Sequence, residues 1–462
     1  MTEVAFQPIG RRVTIEPGAT LLDAAQDAGV ALSAVCGGVG VCGDCRVRVL
    51  RGQVSALNDV ERDHLSEAEL ADGMRLACQT VIEADGAIVI DVPRESLSAA
   101  QRSQVEGEEI PLAVEPVIAL HELAVMPPSV DDLRGDWERV TGTSPADWQP
   151  TAPVLAPLPS VARAHDWRAR MVSHGQRVVA FLPPDAVPLG FAVDVGTTGL
   201  AAYLVDLQTG ETLGIAGATN PQIAYGEDVM ARLTLAVRDK DGARRLQAAI
   251  VDGLNVLVAE VCQQAGVSPS RVVDAVAVGN TAMHHLLLGL PTEQLGSAPY
   301  VPAASAPMVT PARELGLRTA PGTLLYLPPN VAGFVGADHV AMLLATETAQ
   351  QQGVTLALDI GTNTEISINA NGEMWSCSTA SGPAFEGAHI RDGMRAADGA
   401  IERVIWQDGA LRWLTINQAP PVGLCGSGIL DAVAMLRQGE IVSLTGAMKR
   451  SHKGVQGDSH NV

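Results

Sequence analysis

Four cysteines constrain this chain more than any other feature, because thiolates that share one inorganic centre must converge on it whatever the rest of the chain does. They lie in Cys36-Gly37-Gly38-Val39-Gly40-Val41-Cys42-Gly43-Asp44-Cys45 and in Leu76-Ala77-Cys78-Gln79. The spacing, C-x5-C-x2-C with a distant fourth Cys, differs by one residue from that of plant-type [2Fe–2S] proteins. Glycines at 37, 38, 40 and 43 remove side chains, so that backbone N–H groups can approach the sulfurs and stabilise their charge. Cys36, Cys42, Cys45 and Cys78 are therefore the expected metal ligands of a [2Fe–2S] cluster. The alternative is a structural zinc site using the Cys42/Cys45 pair. Such sites usually bring a second close pair or a His pair, and Cys78 stands alone.

With 462 residues, 47% of them hydrophobic, the chain has material for two to four domains with real cores. No apolar run reaches the roughly 18 residues of a membrane span. The N-terminus, Met1-Thr2-Glu3-Val4-Ala5, has no basic-then-apolar leader, and a cytoplasmic location is expected. A net charge of −21 argues against nucleic acid and anionic membranes as partners. Cys262, Cys377 and Cys425 sit among small or apolar residues and read as reduced structural thiols.

Residues 1–92 read as one small domain: a hairpin of Thr2–Gln7 and Arg12–Glu16 around Gly10, a helix started by Thr20-Leu21-Leu22-Asp23 and ended at Gly29, the cysteine loop, a strand at Arg46–Leu50 and another at Ala87–Val92. Sheet, helix, cluster loop, sheet is the order of a β-grasp ferredoxin. Residues 93–115, rich in Ser, Gln and Glu, read as a linker. Residues 116–187 are Pro-rich, contain Trp137, Trp148 and Trp167, and read as a small spacer domain with one helix over Val130–Thr141.

From residue 188 the character changes. Phe191-Ala192-Val193-Asp194-Val195-Gly196-Thr197-Thr198 is an apolar strand running into an acidic residue and a small hydroxyl turn, followed by a hairpin. The pattern returns 165 residues later in Leu356-Ala357-Leu358-Asp359-Ile360-Gly361-Thr362-Asn363, again with a hairpin. This is an internal duplication. Two D-x-G-T turns facing each other across a cleft can grip a polyphosphate: glycine admits the backbone, Thr hydroxyls and N–H groups donate, and the aspartates hold hydrated Mg²⁺ or the attacking water. Asp194 and Asp359 are the catalytic candidates, and Gly196, Thr197, Thr198, Gly361, Thr362 and Asn363 the nucleotide-binding ones. Gly382, Pro383 and Gly387 form a loop after the second turn; the plainer reading is an ordinary surface loop. Gly426, Ser427 and Gly428 open an apolar helix and offer an anion site, unless the glycines serve close packing against a sheet. His284 and His285 cannot share one ligand face of a helix, and one core and one surface histidine are expected. Arg244–Gln264 and Ala337–Gln350 read as packing helices.

The doubled turn resembles the acetate and sugar kinase, heat-shock chaperone and actin superfamily. Its pairing with a ferredoxin domain, together with Asp359-Ile360-Gly361-Thr362-Asn363, Ser381-Gly382-Pro383-Ala384-Phe385-Glu386-Gly387-Ala388 and Gly426-Ser427-Gly428-Ile429-Leu430-Asp431, resembles the reductive activators of corrinoid-dependent proteins. The resemblance implies an α/β multidomain fold: a β-grasp [2Fe–2S] ferredoxin domain, linker, small middle domain and, over 188–445, a duplicated actin-like, ribonuclease-H-like ATPase fold. It further implies ATP and Mg²⁺ as cofactors beside the cluster, and reduction of a corrinoid protein from Co(II) to Co(I) as the activity. The expected partners are a corrinoid protein or corrinoid-dependent methyltransferase, an electron-donating reductase or ferredoxin, and a second copy in a homodimer. Two departures stand out: Thr364 replaces the family's usual Gly, and the chain stops at Val462 after a polar tail, 446–462, that reads as disordered. Because members of that family continue well past the Gly-Ser-Gly helix, the resemblance implies an ATPase domain incomplete at its C-terminal end, with apolar surface exposed. An alternative function is a ferredoxin-like electron-transfer module whose nucleotide domain no longer hydrolyses ATP. A sugar-type kinase carrying a redox sensor fits less well, since no separate sugar-binding carboxylate pattern is present.

Overall fold

The computed structural model describes residues 1–7, 11–30, 32, 34, 36–83, 86–93, 96, 113–142, 147–226, 228–361, 363–381, 392–394, 396–407 and 410–449. Among the described residues, those up to Ala345 form one compact unit and those from Thr346 on a second.

Alternation builds the first hairpin: in β1 (Thr2–Gln7) Val4 and Phe6 are buried while Glu3 and Gln7 face out, and β2 (Arg11–Ile15) pairs antiparallel with it. Gly10, expected at its turn, lies outside the described residues. Thr20 caps α1 (Leu21–Asp27) with a reciprocal box, Asp23 N–H donating to Thr20 Oγ1 and Asp23 Oδ2 accepting from Thr20 N–H. Beyond the cysteine loop come β3 (Arg46–Arg51), α2 (Asp59–His64), α3 (Glu67–Ala71), β4 (Met74–Leu76) and β5 (Ala87–Asp91). The sheet order is β2-β1-β5-β3-β4, with β1 and β5 parallel. Leu21, Leu22, Ala24 and Ala25 of α1 share a buried core with Val4, Phe6 and Ile90, which completes the β-grasp.

In the spacer, β6 (Ala119–Ala124), β7 (Arg168–His174) and β8 (Arg177–Leu182) form an antiparallel sheet, covered by α4 (Asp136–Thr141), α5 (Ala152–Leu155) and α6 (Leu158–Ala164). Its small core contains Leu123, Val140, Met171 and Phe181, with Trp137 and Trp148 against them. The helix expected from Val130 starts only at Asp136. Ahead of it Arg139 reaches back to Asp132 Oδ2 (2.7 Å), and Ser129 and Asp132 exchange backbone hydrogen bonds in a turn.

The first repeat is built from β9 (Leu189–Val195), β10 (Gly199–Asp206), β11 (Thr212–Thr219), α7 (Val229–Arg238), α8 (Gly242–Gln264), β12 (Val272–Val278), α9 (Thr281–Leu288), β13 (Met308–Pro311), β14 (Leu324–Leu327) and α10 (Ala337–Ala345). The sheet runs β11-β10-β9-β12-β14-β13, with β9, β12 and β14 parallel. By length and composition α8 could cross a membrane. Its Leu246, Ile250, Leu254, Leu257, Val258 and Val261 are instead buried in the core with Phe191 and Val193 of the central strand. The helix expected to reach Gln350 ends at Ala345, and Thr348–Gln350 is a separate 3₁₀ turn.

The second unit opens with the antiparallel sheet β15 (Val354–Ile360), β16 (Asn363–Ala370), β17 (Glu373–Ala380). A further sheet joins β18 (Ala400–Gln407), β19 (Ala410–Thr415) and β20 (Gly423–Leu424), and α11 (Gly426–Gln438) packs on β18. Of the polar tail, only its first residues are described; 450–462 lie outside the described residues.

Candidate functional site

All four glycines of the cysteine loop adopt the left-handed region that side chains avoid, with φ of +64°, +89°, +88° and +75° at 37, 38, 40 and 43. At Gly40 a Cβ would lie 2.6 Å from Gln79 Nε2, and that amide in turn reaches Cys78 Sγ at 3.5 Å. The thiols fall into two pairs: Cys42 Sγ is 3.3 Å from Cys36 Sγ, and Cys45 is hydrogen-bonded to Cys78. Within each pair one sulfur favours the thiolate. Cys36 is lowered to about 4, first by the Cys42 thiol and then by the backbone N–H groups of Val41, Cys42 and Gly40. Cys78 is lowered chiefly by its bond from Cys45. Cys42 and Cys45 are raised, each first by that shared hydrogen bond and then by burial.

Two pairs are what a two-iron cluster requires, two thiolates to each iron. A mononuclear zinc site would instead need all four ligands arranged tetrahedrally about one point. The loop's supports were not evident in the sequence. Glu61, fully buried, accepts from Arg75 Nε and Nη2 (2.8 and 2.9 Å), Leu76 N–H (3.2 Å) and Thr80 Oγ1 (3.1 Å), and so fixes the segment on either side of Cys78. Burial pushes its carboxyl up, but the Arg75 guanidinium and backbone amides outweigh this and hold it below the usual range.

The first D-x-G-T turn is braced from several directions. Asp194 is exposed at the end of β9 while Val193 and Val195 on either side are buried. Asn220, fully buried, donates from Nδ2 to Gly196 O (2.8 Å), and its N–H donates to Thr198 O (2.9 Å). A Cβ on Gly196 would meet Gly199 O at 2.6 Å. Asn280 donates from Nδ2 to Thr197 Oγ1 (2.8 Å) while its Oδ1 caps α9 through Met283 N–H (3.0 Å). Arg232 Nη2 reaches Thr197 O at 2.5 Å. Neither Asn220 nor Arg232 is marked by any sequence pattern. The signal for Asn280 was available: Gly-Asn-Thr directly between a strand and an apolar helix is an N-cap pattern.

The second turn is one residue tighter. Val195 pairs with Leu200 across the first hairpin, Ile360 with Thr364 across the second. Asp359 is half-buried and faces Glu365 on β16. Burial, with Asp359 adding to it, raises the Glu365 carboxyl, against a hydrogen bond from Ser378 Oγ (2.9 Å). Opposed carboxylates at such a turn suit a hydrated cation. Thr364, at the unusual position, is nearly buried and bonds Ser381 Oγ at 2.5 Å. Thr362, Gly382, Pro383 and Gly387 lie outside the described residues.

At α11 the packing reading of the glycines has direct support: a Cβ on Gly428 would run into Ile401 O of β18. Cys425 is the N-cap and makes no side-chain capping bond, and Gly426 and Ser427 form the first turn of the helix. The histidine expectation is corrected, since His284 and His285 are both buried because α9 is covered on all sides. His285 Nε2 accepts from Ala303 N–H (2.9 Å), leaving Nδ1 to donate to Thr281 O (2.7 Å). Burial, and then His285, lower His284 to about 4. Cys262 and Cys425 are buried as expected, whereas Cys377 is exposed on β17.

A β-grasp cysteine loop, a small spacer and a strand–turn–hairpin repeat together define a ferredoxin-linked protein of the actin-like class. Comparison with known proteins is specific. Residues 4–83 match a 2Fe–2S iron–sulfur cluster binding domain, 107–186 the RACo linker region, 189–351 the RACo middle region and 353–461 the C-terminal domain of RACo, the ASKHA domain. The corrinoid activation enzyme RamQ of Eubacterium limosum is 30% identical over 448 residues, covering 95% of this chain and 71% of that protein. The [Co(II) methylated amine-specific corrinoid protein] reductase of Methanosarcina barkeri is 27% identical over 284 residues, 55% of this chain and 51% of that one. The solved structure of a reductive activator for corrinoid, iron–sulfur protein superposes with a TM-score of 0.62 at 32% identity, covering 98% of this chain and 75% of that one. The chain belongs to the RACo family.

Proposed function

We propose that this protein delivers single electrons to a corrinoid protein of a methyltransferase system, returning Co(II) to Co(I), and that ATP bound at the D-x-G-T turns drives the step. The observation that carries this reading is the two-by-two pairing of Cys36 with Cys42 and Cys45 with Cys78 in a β-grasp loop, on a chain that also carries the duplicated turns. Those four cysteines would hold the cluster, and a [2Fe–2S] centre there supplies one-electron transfer. The glycines and the Gly40, Val41 and Cys42 amides stabilise thiolate charge, while Gln79 and the Glu61–Arg75 network fix the Cys78 side of the loop. Asp194 and Asp359 would hold Mg²⁺ or orient water, with Gly196, Thr197, Thr198, Gly361 and Asn363 around the phosphates and Gly426 and Ser427 at a helix N-terminus.

The energetics favour such a pairing of sites. Plant-type clusters lie near about −400 mV, and each 59 mV uphill costs about 1.4 kcal/mol for one electron. A lower-lying Co(II)/Co(I) couple would need a second source of free energy, which nucleotide can provide. A cytoplasmic reductase or ferredoxin would supply the electrons, and the working form would be a homodimer.

A second reading, an electron-transfer module whose nucleotide domain neither binds nor hydrolyses ATP, is favoured by the packing role of Gly428. Calorimetry with Mg–ATP separates the two. Binding that is lost in Asp359→Ala supports the ATP-driven reading, and no binding to the iron-loaded chain would sink it.

A further inference from the structure

We infer that Arg232 is a positioning residue that ties the first nucleotide turn to the cluster loop, so that nucleotide and the redox state of the cluster sense each other. Three consecutive carbonyls, Ala224 to Gly226, form the bridge. Ala224 O accepts from Gln26 of α1, on the ferredoxin side. Tyr225 O closes on Gly37, where a Cβ would lie 3.1 Å from that oxygen and 3.4 Å from Ala231 Cβ. Gly226 O accepts from Arg232 Nε at 2.7 Å.

Arg232 then carries the connection inward. It is fully buried, with Nη1 on Gln222 Oε1 (3.2 Å) and against Met283 Sδ (3.4 Å), and Nη2 on Thr197 O (2.5 Å). The planar fork fixes both ends at once, which a flexible ammonium cannot do. Gly37 directly follows Cys36, and Gly38 lies against Cys78, so the bridge ends within the cluster's own loop. A cavity of about 150 Å³ at the same junction, lined in part by Asp23, Gln26, Gly38, Cys78, Tyr225 and Arg245, leaves room for the loop to shift. A change in the backbone of Thr197 on phosphate binding is thereby passed to the segment that packs on Gly37.

This rests on the reading of the Asp194 turn as a nucleotide turn, and linkage makes it measurable: if nucleotide alters cluster reduction, reduction must alter nucleotide affinity by the same factor. Mg–ATP affinity is measured by calorimetry on the iron-loaded chain, oxidised and dithionite-reduced. The expected ratio is about tenfold, equivalent to about 59 mV in midpoint potential, and it falls to one in Arg232→Lys. Gln26→Ala, at a half-buried position of α1, cuts the ferredoxin end of the bridge and is expected to lower the ratio towards one while the oxidised-state affinity changes less than twofold. This second variant keeps the test valid if Arg232→Lys does not fold. Equal affinities in the two redox states of the wild type, or an unchanged ratio in Gln26→Ala, would overturn the coupling alone. No Mg–ATP binding in either state would overturn the nucleotide reading and the coupling with it.

Discussion

The two repeats carry nearly the same strand and bury it oppositely. In β9, Phe191, Val193 and Val195 are 1%, 3% and 2% exposed; their counterparts in β15, Leu356, Leu358 and Ile360, are 59%, 49% and 49% exposed. The local pattern is the same, so the difference lies in the neighbours. β9 is flanked by β10 and, in parallel, by β12, with α8 sharing its core; β15 pairs with β16 alone among the described residues. Alternating sequence fixes which residues share a face, and only tertiary context decides whether that face is covered. The turns at the strand ends differ accordingly: Asn220, Asn280 and Arg232 brace the first, whereas the second carries a pair of facing carboxylates.

The sharpest way to break this contrast is a charge at equivalent positions. Val193→Asp is expected to cost about 4 kcal/mol or more and to unfold the first unit, whereas Leu358→Asp stays within about 0.5 kcal/mol. Unfolding of the full chain by calorimetry checks both; equal losses would mean that β15 is covered in solution. Next in size are the turn glycines. Gly196→Ala, whose Cβ would sit 2.6 Å from a carbonyl, is expected to cost about 1–3 kcal/mol. Gly361→Ala, at 3.3 Å from Asn363 O, should cost less than about 1 kcal/mol in urea titrations.

Asn280→Ala removes the α9 cap and the bond to Thr197, for about 0.5–2 kcal/mol, and should weaken Mg–ATP binding as well. The smallest effect belongs to Glu365. Its carboxyl is raised in the fold, so its contribution is fully present below the usual carboxylate range and is lost as pH rises through the raised value. Glu365→Gln should therefore melt with the wild type at acid pH and above it at neutral pH. An advantage of the variant at acid pH instead would contradict the assignment.

Much of this was legible in the chain. The cysteine spacing and its glycines gave the β-grasp loop, and the Thr20–Asp23 pair gave the cap of α1, because both are local patterns. The D-x-G-T repeat gave both hairpins for the same reason. The contacts that hold the first turn were not legible: Asn220, Arg232 and Asn280 lie up to 83 positions from Thr197 and meet the turn only through tertiary packing. Burial of both His284 and His285 escaped a helical-face argument, because α9 is enclosed on every side and no face is left for solvent. At Gly428 the glycine alone could not distinguish an anion site from close packing until the β18 carbonyl was placed beside it.

The central claim, that electrons leave the cysteine loop for a corrinoid and that nucleotide drives them, is tested most directly by one assay. Iron-loaded protein reduced with dithionite is mixed with a Co(II) corrinoid protein, and the Co(I) absorption is followed with and without Mg–ATP. The account predicts Co(I) formation that depends on Mg–ATP and is abolished in Cys45→Ser. Co(I) forming at the same rate without nucleotide, or surviving the loss of Cys45, would contradict it.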